Sequence, residues 1–344
     1  MSLPKLGYIA RHCCIRVQKE AIPLLNKGYE VHCMANKIPM FGEQYKTLFI
    51  YQDMTQLENC IKKHSDIDIF HCHNEPSWFV SVVKSIYPDR PVVLDVHDSM
   101  LIRVRPEDTD HVRISVDERN NFQLADALVF PSETMRDLVC NEFGLRQPTI
   151  VLPSYVPRIL YRMDAWKWIG GIVYEGRVDL PEEISNDLHF FSYCDYTDMA
   201  KQLTEYKIPL HLYTPRKDEK IKEHYEKIAV WRGAYPFDKL IGKLGRHDWG
   251  LIGNTTEHMA WEYAMPNKLF EYVAAGVPII SMNAKLAGEF VEREGIGISV
   301  SSVDEIKERW SEHRVKRAEL AKTKFKWCME NHIAVLEDLY RVLS

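Results

Sequence analysis

The sequence predicts an α/β protein: two tandem, doubly wound (Rossmann-like) parallel-sheet domains facing a cleft. Three observations carry this. Short, near-continuous apolar runs such as LGYIA (6–10), PVVLDVH (91–97) and VPIISMN (277–283) alternate with segments of helical periodicity. Strands covered on both faces of a parallel sheet read as such runs, without apolar–polar alternation. The alternation runs once to about residue 155, breaks in the irregular aromatic VPRILYRMDAWKWIGG (156–171), and restarts. A chain of 344 residues also holds about two domains at roughly 150 residues each.

Each element follows from its residues. LGYIA is a strand, and RVQKEAIPLLNKG (16–28) is a helix closed by Gly28, since glycine tolerates the left-handed turn that ends helices. YEVHCMA (29–35) and TLFIY (47–51) are strands, and a helix near MTQLENCIKKH (54–64) precedes the strand DIDIFHCH (66–73). PSWFVSVVKSIY (76–87) is helical, PVVLDVH a strand, DERNNFQLA (117–125) a helix and ALVFPS (127–132) a strand. The helix ETMRDLVCNEFG ends on Gly144, and TIVLPSY (149–155) closes the set.

The second series opens with GIVYEGRV (171–178), LHLYTP (210–215) and a helix through KIKEHYEKI (220–228). AVWRGAY, a helix through DKLIGKL, and WGLIGN follow. Next comes a helix opened by Pro266 and closed by Gly276, the usual asymmetry of helix ends. VPIISMN, a helix through GEFVEREG and the strand IGISVSS complete it. In the tail, Ile333, Leu336, Tyr340 and Leu343 share one helical face. The expected layout is an N-terminal domain over 1–160, a C-terminal domain over 161–323, and a helical tail over 324–344. The tail is expected to pack back on the first domain or across both.

Composition excludes several classes. Lysine plus arginine total 44 against 49 acids, a formal net charge of -5, which argues against a nucleic-acid binder. MSLPKLGYIARHCC is too short and too interrupted by charge for a signal peptide, and no stretch approaches the ~20 apolar residues that span a bilayer. The eight cysteines are scattered through apolar segments and read as reduced core residues. A cytoplasmic protein is the expectation, with at most weak peripheral contact to a membrane. No GxGxxG follows the first strand and no GxxxxGK[ST] occurs, so the fingerprints of nicotinamide and P-loop enzymes are absent.

Ligands of doubly wound sheets bind beyond the carboxyl ends of the strands, so residues just after strands are the candidates. One helix poses a question. Lys268 lies in the first turn of the 266–276 helix, where the dipole favours anions by roughly 0.3–1 kcal/mol. A phosphate at the helix start would resolve the conflict, with backbone N–H groups and the ammonium both serving it. Glu271, three residues on, could then accept from two ribose hydroxyls. An exposed Lys268–Glu271 ion pair is the plainer alternative.

Several stretches taken together resemble a known family. PNKLFEYVAAGVPII (266–280) closely resembles the nucleotide-sugar motif of GT-B fold glycosyltransferases of retaining family four (glycosyl transferases group 1). DIFHCHNEP, VVLDVHDS, ADALVFPSE, IVLPSYVP, YEGRV and VWRGAYPFDKL agree with that family in order and placement, so the resemblance covers most of the chain. It implies GT-B architecture and a donor site in which Glu271 binds ribose and Arg177 the diphosphate. Asn267 and Lys268 stand at the helix start, and Tyr235 frames the nucleobase. The resemblance also implies a histidine facing the donor sugar across the cleft, here His97, the catalytic candidate.

Strand-end position puts His12, Arg16, His73, Asn74, Glu75 and Asp98 on the acceptor side. Two departures stand out. No lysine follows Arg177 in GRVDLPEE, and Tyr263 occupies the place of the motif's first glutamate. His71 and His73 share a strand face, but no ligand at a familiar spacing completes a metal site, so none is expected.

The expected activity is transfer of a sugar from a nucleotide diphosphate donor, UDP- or GDP-linked, to a sugar, lipid-linked or other hydroxyl acceptor. Retention of configuration and independence of metal are implied by the resemblance, with no cofactor beyond the nucleotide-sugar cosubstrate. The alternatives are a nucleotide-sugar epimerase or an inverting transferase on the same fold, and a catalytically inactive binding or regulatory protein.

Overall fold

A computed structural model describes residues 3–11, 14–37, 44–74, 76–103, 111–161, 167–180, 194–256, 258–263 and 265–344. The chain divides into two compact units. Unit 1 is Met1–Pro157 with Met329–Ser344, and unit 2 is Arg158–Cys328.

Unit 1 carries a seven-stranded sheet: β1 Leu6–Ala10, β2 Val31–Ala35, β3 Thr47–Ile50, β4 Ile69–His73, β5 Val92–Asp95, β6 Ala127–Phe130 and β7 Thr149–Val151. Its order is β3-β2-β1-β4-β5-β6-β7, and every pairing is parallel. Every residue of β1, β2, β4, β5 and β6 is buried, the physical reason these strands read as unbroken apolar runs. Strand order reverses between β1 and β4, so the loops that follow these two strands open the crevice typical of such sheets.

Unit 2 repeats the plan with β8 Ile172–Glu175, β9 Leu210–Tyr213, β10 Val230–Trp231, β11 Trp249–Gly253, β12 Ile279–Met282 and β13 Gly297–Val300. The order is β10-β9-β8-β11-β12-β13, parallel throughout, and reverses between β8 and β11.

Helix ends fall where the chain chemistry puts them. The Glu133–Phe143 helix starts at Ser132, whose hydroxyl accepts from Met135 N, and ends at Gly144 with φ 64°. The Phe79–Ile86 helix begins three residues later than PSWFVSVVKSIY suggests. The helices Thr197–Glu205 and His313–Thr323 have no counterpart in the sequence reading. In the first of them Thr197, Met199, Ala200 and Leu203 make the buried stripe. That stripe is too narrow to stand out from the polar residues between.

The tail's first residues, 324–328, belong to unit 2, while from Met329 onward it belongs to unit 1. Ile333, Leu336 and Tyr340 are fully buried in its core, and Leu343 packs against the same cluster. The Tyr340 hydroxyl lies 3.1 Å from that of Tyr8 and 2.6 Å from His71 Nδ1. No helix among the described residues is long and apolar enough to cross a membrane.

Candidate functional site

In unit 2 the strand ends at the reversal gather three cations. β8 ends at Glu175, and the chain turns through Gly176 at φ 132°, a conformation essentially confined to glycine. A Cβ on Gly176 would lie 3.1 Å from Lys268 Nζ, so the turn also admits that ammonium. Arg177 follows, its side chain 35% exposed, with Nε donating to Asp179. Asp179 is buried and also pairs with Arg216, just beyond β9, at 3.1 Å. Sequence reasoning missed Arg216, because nothing in TPRKDEK distinguishes it from a solvated charge run.

The Asn267–Ala275 helix is held against these strand ends by Tyr272. Its hydroxyl accepts from Glu175 N at 3.1 Å and shares its proton between the Leu251 and Val173 carbonyls. The ring lies over Gly250, where any Cβ would come within 2.5 Å of it. Pro266 precedes the helix and provides no side-chain cap, so the first N–H groups point away from the helix without a capping side chain. Asn267 is exposed there.

Lys268 does not stand as an uncompensated charge at the helix start. Its ammonium donates to the Tyr174 hydroxyl at 3.1 Å and lies 4.2 Å from the Tyr174 ring centroid and 5.8 Å from that of Trp261. Such cation–π contacts favour a cation. Burial lowers its pKa, against the opposing pull of Glu175, Cys194 and Glu271. The Tyr174 hydroxyl in turn donates to the Arg177 carbonyl at 2.9 Å, so Lys268 and the Arg177 turn are fastened together. Glu271 is 2% exposed.

Tyr235 is exposed, with its ring centroid 5.7 Å from that of Tyr213 and 5.4 Å from Lys243 Nζ. A cavity of about 690 Å³ opens at the ends of β12 and β13, with His258, Glu262, Asn283, Lys285 and Glu305 in its wall. Glu262 thus brings a carboxylate to this wall one residue before Tyr263.

In unit 1 the strand ends hold a buried polar cluster. Arg16, in the first turn of the Ile15–Asn26 helix, forks onto Asp95 at 2.8 and 3.1 Å and donates to the Leu152 carbonyl at 3.0 Å. It also lies 3.3 Å from Glu20. Arg16 is 2% exposed, His73 1% and Asn74 3%. All three side chains are buried, as Glu271 is in unit 2, where strand-end position suggested open acceptor-side groups. Arg16 neutralises Asp95, and Asn74 Nδ2 braces the next loop by donating to the Asp98 carbonyl at 2.6 Å. Asp98 pairs with Arg103 at 2.9 Å. His12 and Glu75 lie outside the described residues.

His97 is the group of this cluster that reaches solvent, its side chain 20% exposed. Its Nε2 turns inward, 3.2 Å from His73 Nδ1 and 3.7 Å from Asp95 Oδ1, and its Nδ1 lies 3.8 Å from Cys14 Sγ. Burial pushes its pKa down to about 3 despite Asp95. Asp95 is held below the usual carboxylate range by Arg16 against its own burial. Glu20 is pushed well above that range by burial and by Asp95, so of two adjoining carboxyls Glu20 keeps the proton.

Glu20, His71, His73 and Asp95 each place a ligand atom within 4.8 Å of the others. The Arg16 guanidinium is the cation seated among them, on Asp95 at 2.8 Å and 3.3 Å from Glu20.

Four buried histidines and the part-buried His97 give unit stability a pH dependence. Burial pushes His71 and His247 down to about 4, His97 and His211 to about 3, and His73 well below its ordinary range. The unfolded chain takes up protons on these rings near pH 6.5, the folded chain only at about pH 4 or lower. Between those values the unfolded state binds more protons, so stability falls as pH drops from about 6.5 to about 4. Glu20 acts in the opposite sense, one group against five. The melting temperature at pH 5 is expected below that at pH 7; a profile flat between pH 7.5 and 4.5 would contradict the burial of neutral imidazoles.

Comparisons with known proteins bear on the family and the fold. Residues 23–157 match the family described as Glycosyltransferase Family 4. Residues 188–326 match the one described as Glucosyltransferase 3-like, C-terminal domain. No curated protein matches the chain by sequence at a significant level.

Among solved structures, the chain is similar to sucrose-phosphate synthase from Thermosynechococcus elongatus, with a TM-score of 0.72 at 12% identity over 99% of both chains. It is similar to HepE of Anabaena in complex with UDP and glucose, with a TM-score of 0.71 at 14% identity over 98% of this chain and 99% of that one. An alpha-glucosyltransferase in complex with UDP-glucose and DNA containing an abasic site matches with a TM-score of 0.65 at 11% identity, over 99% of this chain and all (100%) of that one.

Proposed function

With the chain placed among the GT-B glycosyltransferases, we propose that it transfers a sugar from a uridine diphosphate donor to a hydroxyl acceptor with retention of configuration and without a metal ion. The observation that carries the donor assignment is the convergence of Arg177, Arg216 and Lys268 at the ends of β8 and β9 and the start of the Asn267–Ala275 helix. A departing diphosphate gains charge as the glycosidic bond breaks. Fixed guanidinium, ammonium and helix N–H groups stabilise that charge without reorganising. A guanidinium matches phosphate oxygens in a planar fork, while Lys268 acts as a point charge. Glu271 would accept from the ribose hydroxyls and Tyr235 would cover the base. UDP in HepE and UDP-glucose in the alpha-glucosyltransferase favour uridine over guanosine.

Retention fits the acceptor-side chemistry. His73 is buried and Asp95 is neutralised by Arg16, so neither is an accessible base for an inverting displacement. A retaining front-face transfer lets the leaving phosphate take the acceptor's proton and needs no such base. His97 then serves as a neutral hydrogen-bonding group toward an acceptor hydroxyl.

A thermal-shift panel of UDP-, GDP- and ADP-linked sugars tests the reading. A donor at 100 times its dissociation constant adds about 2.7 kcal/mol to stability. UDP-glucose is expected to give the largest shift, and Glu271→Ala to abolish it while the unliganded protein still melts cooperatively. A shift with GDP sugars alone would replace the base assignment; an undiminished shift in Glu271→Ala would remove Glu271 from the site.

A further inference from the structure

Resting on the transferase reading for its catalytic meaning, we propose that His73 is a positioning residue. It fixes the tautomer of His97, so that His97 meets substrate as an Nδ1–H donor.

The assignment comes from accounting for one proton. His73 Nδ1 and His97 Nε2 are 3.2 Å apart, so one donates and the other accepts. If His97 Nε2 donated, the proton of His73 would sit on its Nε2, which is buried and has no hydrogen-bond partner. A buried N–H without an acceptor is the rarer and costlier orphan; a bare lone pair is better tolerated. The proton therefore belongs on His73 Nδ1, which also lies 3.9 Å from Asp95 Oδ2. His97 Nε2 accepts it, and the His97 proton is left on Nδ1, the nitrogen that turns away from Asp95 and His73 toward Cys14.

His73 is itself held. It stacks on His71 with centroids 4.5 Å apart and planes 8° from parallel, and His71 Nδ1 is fastened at 2.6 Å to the Tyr340 hydroxyl of the C-terminal helix. A His97 of this tautomer cannot accept a proton from an acceptor hydroxyl at Nδ1. It can donate to a sugar oxygen, which is the behaviour a retaining transfer asks of it.

Nitrogen-15 NMR of histidine-labelled protein tests this without donor or acceptor, so its result is independent of whether transferase activity is found. The His97 resonances, assigned by their loss in His97→Gln, are expected to show a protonated Nδ1 and a bare Nε2. His73→Asn, which keeps an amide N–H near the Nδ1 position, is expected to preserve that pattern and most of kcat. His73→Phe removes the donor; it is expected to shift His97 toward the Nε2–H form and to lower kcat by about 10²-fold with little change in KM. A protonated Nε2 on His97 in the unmutated protein would overturn the proposal. So would equal tautomer patterns in His73→Asn and His73→Phe.

Discussion

Arg177→Ala is expected to lower kcat/KM for the nucleotide sugar by about 10²–10³-fold, the usual cost of removing one preorganised charge-stabilising donor. Most of the loss should fall on kcat, because charge accumulates on the diphosphate as the bond breaks, not in the resting complex. The fold should barely respond. Arg177 is partly exposed, and its partner Asp179 keeps Arg216, so a stability change of about 0.5–1 kcal/mol is the ceiling. Steady-state kinetics beside a thermal melt separates the two effects. Arg177→Lys should recover only part of the rate, since an ammonium cannot reproduce a planar fork. An unchanged kcat/KM in Arg177→Ala would take the β8 turn out of the reaction.

Asp95→Asn is expected to destabilise unit 1 by about 3–5 kcal/mol, the range for breaking a buried ion pair. Asp95 is wholly buried and carries both bonds of the Arg16 fork. Its amide would leave that guanidinium with the Leu152 carbonyl and, 3.3 Å away, Glu20 as its remaining partners. Glu20→Gln supplies the contrast, because burial and Asp95 drive the Glu20 carboxyl toward its neutral form; about 1 kcal/mol or less is expected there.

The sign of the acid limb follows. The Asp95 pKa is depressed in the fold, so its contribution is complete above about pH 3.9, its unfolded value. It is lost as the pH falls further toward the folded value. Urea melts of both variants against the unmutated protein check the ranking. Equal losses for Asp95→Asn and Glu20→Gln would contradict the assignment of the proton to Glu20.

The sheets were legible because parallel strands buried on both faces leave a one-dimensional signature. LGYIA and PVVLDVH need no partner to be read as strands. Gly144 and Gly276 announce helix ends because both take positive φ, 64° and 71°. The contents of the site were less legible, since each of its contacts joins residues far apart in sequence. Lys268 looks misplaced at a helix start until Tyr174, 94 positions away, is set beneath its ammonium. Arg216 becomes a candidate only through Asp179, which it shares with Arg177.

Arg16 shows the opposite failure. A residue just after a strand was expected at the crevice, but the first turn of its helix directs it inward onto Asp95, 79 positions on. Position in sequence places a residue at a strand end. Side-chain direction decides whether it faces ligand or core.

The most direct measurement is a crystal structure of the protein with UDP at saturating concentration. The diphosphate is expected at the start of the Asn267–Ala275 helix, its oxygens within hydrogen-bond distance of Arg177, Lys268 and the first backbone N–H groups of that helix. The ribose hydroxyls should lie on Glu271. UDP bound anywhere else in unit 2, or a helix start left without phosphate at saturation, would contradict the donor site proposed for this chain.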